Sequence, residues 1–379
     1  MLKHLSRFRK SVARFCDENL RQNKLAAALV VPFALAISQP AGAAVQASDV
    51  VKSAVDGFIR PAYASLQQHA AATAKAVEAL CAAPSQQALD AARTEFAGAV
   101  TAWSAIEIVR FGPITENNRL ERMLYWPDRK GLGLKQVQAA LAEKDVSATD
   151  AAGIAGKSIA MQGLGALEFV LHGTDAEMLA GKDGAYRCSF GSAIAGNIET
   201  IATDVSTAWA KPDGFAALWA SPGPDNPLYR DGSEAVTELM GVFINGLELV
   251  RDQRLKNFLG ANADAAKPKQ AIYWRSGLTG ASLAANLDGM NRLFQASNLG
   301  DALPKDDRWI ADSIEIQLVN GVAAAKEASG SVAEVLADPK RRAALEHFQL
   351  ITSSLSNLFG TRLSAAFGLT AGFSSLDGD

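Results

Sequence analysis

The sequence predicts an all-α protein built from two antiparallel helical bundles, and three observations predict it. Apolar residues recur at three- and four-residue spacing along most of the chain. The strict alternation that marks a half-buried strand is almost absent. No segment repeats at a fixed period, which favours bundles over a solenoid. The chain has 379 residues, 49% of them hydrophobic and 20% charged, enough to bury a large core.

At the amino end, Lys3, Arg7, Arg9, Lys10, Arg14, Arg21 and Lys24 precede an uncharged apolar run from Leu25 to Ile37, followed by Ala41, Gly42 and Ala43. The run falls short of the ~20 residues that a membrane span needs, and small residues follow it as at a cleavage site. This order predicts a signal peptide over 1–43, export to the periplasm and no transmembrane span in the mature chain. A short membrane anchor is the alternative. The net charge of -3 leaves no global basic field, so no nucleic-acid partner is expected. Beyond the signal only Cys81 and Cys188 remain, and a pair in an oxidising compartment predicts a disulfide. The sequence leaves open two buried thiols too far apart to meet.

The elements follow in order. Ser48 is placed to cap a first helix through Val51, Val55, Phe58 and Ile59, with Pro61 kinking it on its way to Cys81. Pro84 and Ser85 restart the chain into a helix with Leu89, Ala92, Phe96, Val100, Trp103 and Ile106 on one face, ending near Arg110. From Phe111 to Asp128 the periodicity fails, which predicts an ordered excursion with a short helix. Helices resume over 134–141 and 150–171, the second closed by a left-handed glycine cap at Gly173. Another spans 190–209. The Pro-, Gly- and Asp-rich stretch 211–232 predicts a boundary between an N-terminal bundle, 44–215, and a C-terminal bundle, 216–379. Beyond it Ser233 is placed to cap a helix through Val250, with further helices at 279–297, 307–329 and 339–367.

Several phrases carry a resemblance: Trp103 to Pro113, Asn118 to Asp128, Gln162 to Gly173, Trp274 to Gly277, and Gly372 to Asp379. Together, in this succession, they resemble the imelysin-like family, over nearly all of the mature chain. The resemblance implies a periplasmic or surface-attached protein of two helical bundles. It also implies a family first described as metallopeptidases and often associated with iron uptake. Its peptidase members look like Gly-x-His-x-x-Glu, where this chain reads Gly163 to Glu168 with Gly165 in the histidine's place. Gly165 supplies no ligand. His172 lies one turn beyond Glu168, so Glu168 and His172 form a substitute pair on one helix face for iron or another divalent metal. The bland alternative makes Glu168 a structural carboxylate held by an arginine, and His172 a helix-end residue. Only His69, His172 and His347 remain as nitrogen ligands in the mature chain, too scattered for a catalytic zinc site, and no catalytic residue is assigned.

Trp103, Glu107, Arg119, Arg122, Trp126, Glu168, Arg275 and Asp377, with Arg110, Asn118 and Glu121 beside them, form the candidate polar pocket. Arginine offers a planar fork to carboxylate or phosphate and tryptophan a rigid apolar wall, which suits a small anionic or metal-chelate ligand. The same Arg and Glu residues could instead fix how helices meet. Three readings follow: a non-catalytic binding or accessory protein linked to iron or metal uptake, a metallopeptidase with altered ligands, or a structural protein binding a periplasmic or membrane protein partner.

Overall fold

The computed structural model describes residues 47–369. The expected signal peptide and the tail holding Asp377 lie outside the described residues. No strand occurs among those described, so the all-α expectation holds. The first long helix is assembled from α1 (Ala47–Ala54), a π-helical turn (Val55–Ile59) and α2 (Arg60–Ala82). Then come α3 (Gln86–Ile106), a 3-10 stretch (Gly112–Asn118), α4 (Arg119–Met123), α5 (Leu132–Glu143), α6 (Ala151–Ala155), α7 (Leu164–His172), α8 (Ala185–Ala210) and α9 (Phe215–Ala220). Past the Pro- and Gly-rich stretch lie α10 (Gly232–Glu248), a π-helical turn (Leu249–Leu255) and α11 (Lys256–Leu259). The chain continues with α12 (Thr279–Ser297), α13 (Arg308–Glu327), α14 (Val332–Ala337), α15 (Pro339–Asn357), a third π-helical turn (Leu358–Leu363) and α16 (Ser364–Ala366).

The apolar stripes decide the packing. α2 lies against α3 and α8, while α12 lies against α13 and also against α3. Helices from either side of residue 215 thereby share one continuous core, with Phe58, Phe96, Trp103, Leu287 and Met290 all buried in it. Contact between α3 and α12 is made backbone to backbone: a Cβ at Gly289 would run into the carbonyl of Ala105. Polar groups fasten the same crossing. Ser104 Oγ and Ser282 Oγ are 2.8 Å apart, and Asn286 Nδ2 donates to Glu107 Oε1 at 2.7 Å. Arg254, from the π-helical turn after α10, donates to Glu107 Oε2. Both members of this pair are almost fully buried, Glu107 at 1% and Arg254 at 2% exposure, so each depends on the other to offset its lost hydration.

Several expectations need correcting. Ser48 lies inside α1 and not ahead of it. Pro61 sits at the start of α2, where its missing N–H costs nothing, and the helix passes it through the π-helical turn. α3 ends at Ile106, short of Arg110. The single helix expected over 150–171 is broken, because Gly163 passes so close to α4 that a Cβ would strike the carbonyls of Arg122 and Met123. Gln162 Nε2 then caps the broken end, donating to Lys157 O at 2.6 Å. Gly173 is extended (φ -79°) and not left-handed; a side chain there would collide with Phe169. Asp231, two residues before Ser233, caps α10 by accepting from the Ser233 and Glu234 N–H groups. The restart at Pro84 and Ser85 holds, and Ser85 caps α3 by accepting from Ala88 N.

Cys81, at the end of α2, is bonded to Cys188, near the start of α8, with Cα atoms 5.5 Å apart. The bridge fastens the ends of two helices that already pack along their length. It closes a sequence separation of 107 residues, for which the chain-entropy model gives up to ~4–5 kcal/mol. Cys81→Ser with Cys188→Ser should therefore lower the urea midpoint by an amount worth about 3–5 kcal/mol. A midpoint equal to wild type would show that the crosslink removes little net entropy from the unfolded chain.

Candidate functional site

Helix α7 is apolar on nearly every face, with Leu164, Leu167, Val170 and Leu171 buried, and it carries one carboxylate into that interior. Glu168 is 4% exposed. Its Oε1 accepts from Arg275 N at 3.1 Å, Ser276 N at 3.0 Å and Ser276 Oγ at 2.8 Å. Arg275 Nη1 stands 3.9 Å from Oε2. Burial pushes the Glu168 carboxyl above its ordinary pKa, while the Ser276 donors and the Arg275 charge pull it back. The loop it holds connects a 3-10 turn (Pro268–Gln270) to α12. Tyr273 adopts a left-handed conformation (φ 53°) that a bulky residue seldom takes, and it is held there by full burial of its ring.

Above this carboxylate sits a stack of cations and aromatic rings. The Arg275 guanidinium lies 4.5 Å from the Trp274 ring centroid and 5.2 Å from that of Phe169. Lys269 Nζ lies 5.8 Å from the Trp274 ring. These distances are those of cation–π attraction. Three cavities adjoin Arg275. A narrow cleft of about 70 Å³ is lined by Tyr125, Trp126, Gly165, Glu168, Tyr273 and Arg275 among others. Gly165 has open space where a side chain would start. A cavity of about 420 Å³ includes Trp126, Arg129 and Leu134, and one of about 860 Å³ includes His172, Lys267 and Val332. The last two share Lys269, Gln270, Trp274 and Arg275 as a common wall. Both volumes fall within the ~300–1,000 Å³ usual for small-ligand sites.

The structure thus brings together Trp126, Glu168 and Arg275 from the expected pocket and places His172 at the edge of the larger cavity. The other described members lie elsewhere. Trp103 is core, 1% exposed. Glu107 is occupied at the α3–α12 crossing. Arg119 pairs with Glu116 and Asp204 and donates to Pro113 O. Arg122 donates to Gln162 Oε1 and Asn197 Oδ1, both at 2.8 Å, tying α4 and α8 to the broken end before α7. Sequence reasoning passed over Trp274, although its phrase was singled out, and Lys267, Lys269 and Arg129. Their signal was basic residues beside prolines in irregular segments, which reads equally well as a solvated loop.

Glu168 and His172 do not complete a metal site. Glu168 Oε1 is already shared by three donors, and among the described residues no group of three or more His, Cys, Asp or Glu side chains is placed to hold an ion. The residues present therefore do not fit the usual three-ligand arrangement of a catalytic zinc centre.

His172 packs against Phe96, ring centroids 5.8 Å apart. Burial first, then the charge of Arg93, bring its pKa down to about 4, with Glu177 opposing. Because the folded value lies below the unfolded one, the unfolded chain binds more protons in between, and stability is lost as pH falls from about 6.5 through about 4. Replacing His172 with Gln should flatten urea-measured stability across that window; an unchanged slope would place the ring in solvent. Glu168→Ala should cost about 2–4 kcal/mol, because two backbone N–H groups and a guanidinium lose their acceptor. A loss under about 1 kcal/mol would mean that the loop is held by its apolar anchors alone.

Comparison with known proteins agrees with this architecture. The chain is similar over 92% of its length to the crystal structure of an imelysin-like protein from Psychrobacter arcticum 273-4, of which all is covered, with TM-score 0.65 and 18% identity. It is similar over 85% of its length to a candidate iron-regulated protein A precursor from Parabacteroides distasonis ATCC 8503, of which 95% is covered, with TM-score 0.71 and 15% identity. No curated protein matches it. The Imelysin family model matches residues 59–358, most of the sequence and all of the helices that build the site, and the chain belongs to that family.

Proposed function

We propose that this protein is an exported, non-catalytic binding member of the imelysin family that takes a small anionic ligand, free or as a metal chelate, at Arg275. The observation that carries this reading is the setting of the Arg275 guanidinium. Glu168 fixes its backbone, Trp274 and Phe169 hold its plane, and three adjoining cavities leave it room to meet a ligand. A planar fork fixed in this way loses little freedom on gripping a carboxylate, which favours binding.

Export is supported by the basic and apolar amino end of the sequence and by the Cys81–Cys188 bridge, which suits an oxidising compartment. Among the described residues no helix is long and apolar enough to cross a membrane. A link to iron rests on the similar iron-regulated precursor and on the family, and an anionic ferric chelate would meet the same guanidinium. The lack of catalysis rests on the donor set around Glu168.

Titration calorimetry with citrate and with ferric citrate tests the reading. Wild type should bind at least one of them, and Arg275→Ala should weaken that binding by about tenfold or more, with Arg275→Lys intermediate. Binding that is indifferent to both substitutions would place the ligand elsewhere. Stoichiometric zinc, with peptide cleavage lost in Glu168→Ala, would overturn the non-catalytic reading.

A further inference from the structure

Of the three cavities that meet at Arg275, the narrow cleft differs in kind from the other two. The larger cavities share Lys269 and Gln270, and add Lys267 on one side and Arg129 on the other. Arg275 is instead the single cation among the described residues that line the cleft, whose walls are mainly apolar: Leu124, Leu134, Val137, Ala166, Phe169 and Ile272. Two carboxylates line it as well, and both accept from backbone N–H groups. Asp128 accepts from Leu132 N at 2.7 Å and Leu134 N at 3.2 Å, while Glu168 accepts from the Arg275 and Ser276 loop. The Arg275 guanidinium keeps its donors: Glu168 Oε2 stands 3.9 Å from Nη1, beyond hydrogen-bond reach, and no described residue accepts from the other N–H groups.

Three glycines line the cleft, and two of them are dictated by close approach of the chain. A Cβ at Gly163 would strike the carbonyls of Arg122 and Met123, and one at Gly133 would press on Ala160. Gly165 has no such reason. A Cβ there meets nothing within 4 Å, and Gly165 is the exposed residue in the run 164–171, where all the others are buried. The cleft thus reaches α7 at the point where a side chain would begin to fill it. Its volume of about 70 Å³ is roughly five times what one water needs, enough for a chain of about four to six carbon atoms.

Resting on the anion-binding reading above, the geometry points to a carboxylate with a short hydrocarbon tail as the ligand class, and to Gly165 as the residue that sets the length of the tail. The carboxylate takes the free donors of Arg275, where the three cavities meet, and the tail lies in the cleft against Leu134, Val137 and Phe169. Hydrocarbon gains by leaving water for such walls, and gains less beside the cations of the wider cavities. The charge keeps the guanidinium, so the two parts of the ligand do not compete for one surface.

Calorimetry with butyrate, hexanoate and octanoate at one ionic strength tests the cleft. Wild type should bind hexanoate about tenfold more tightly than butyrate, since each buried methylene is worth roughly threefold, and octanoate no more than about twofold more tightly than hexanoate, because the cleft is then full. Gly165→Leu should cut the preference for hexanoate over butyrate to about twofold, and Gly165→Ala should bring it to an intermediate value. Both variants should melt no lower than wild type, since the added side chain displaces nothing and glycine is a poor helix former. Equal affinity for butyrate and hexanoate would overturn the proposal, as would an undiminished rise to octanoate or a tenfold preference that survives in both Gly165 variants. If Arg275→Ala weakens neither citrate nor hexanoate, the anion-binding reading itself has failed; if it weakens both while tail length and Gly165 have no effect, only the cleft has.

Discussion

The acceptance of three loop donors by the carboxylate of Glu168 is the interaction on which the site depends. It links the buried carboxylate of α7 to a half-buried loop more than a hundred positions later in the chain, where Glu168 itself has little water as an alternative. A buried carboxylate is costly unless paired, and backbone N–H groups buried without an acceptor are costly as well. Each group therefore makes the other tolerable. The loop follows from this: with Ser276 and the Arg275 backbone anchored, the Arg275 side chain lies over the rings of Trp274 and Phe169.

Glycine and polar ties perform the equivalent service for the helices. Gly289 lets α12 touch the backbone of α3, and Gly163 lets the chain before α7 touch α4. At each close approach a polar cluster completes the contact, Glu107 with Arg254 and Asn286 at one, Arg122 with Gln162 and Asn197 at the other. These clusters account for several charged residues that resemble a ligand pocket in the sequence. Their hydrogen bonds are directed inward, so their role is to set the crossing and register of helices, a use for which buried ion pairs are well suited.

Gly165 differs from the other two. Nothing crowds the position its side chain would occupy, and the space opens into the cleft beside Glu168. A helix with room for a Cβ there carries the residue with the lowest propensity after proline. The position thus costs the helix a little and leaves the approach to Glu168 clear, so this cleft is shaped by a missing side chain as much as by those present.

Helical class, the position of most helices and the Cys81–Cys188 pair were all legible in the sequence. Each depends on short-range rules: periodicity and the number of cysteines available. The break before α7 was not, because Gly163 yields to a chain that approaches from α4, a contact absent from any local window. The same limit divided the candidate site. Trp126, Glu168 and Arg275 are conspicuous as residue types, whereas Arg129, Lys267 and Lys269 are ordinary surface cations until the fold gathers them around Trp274. Sequence determines which charges exist and which face of a helix is apolar. Only tertiary packing decides which charges are spent on neighbours and which are left facing a cavity, since that depends on the distance between residues far apart along the chain.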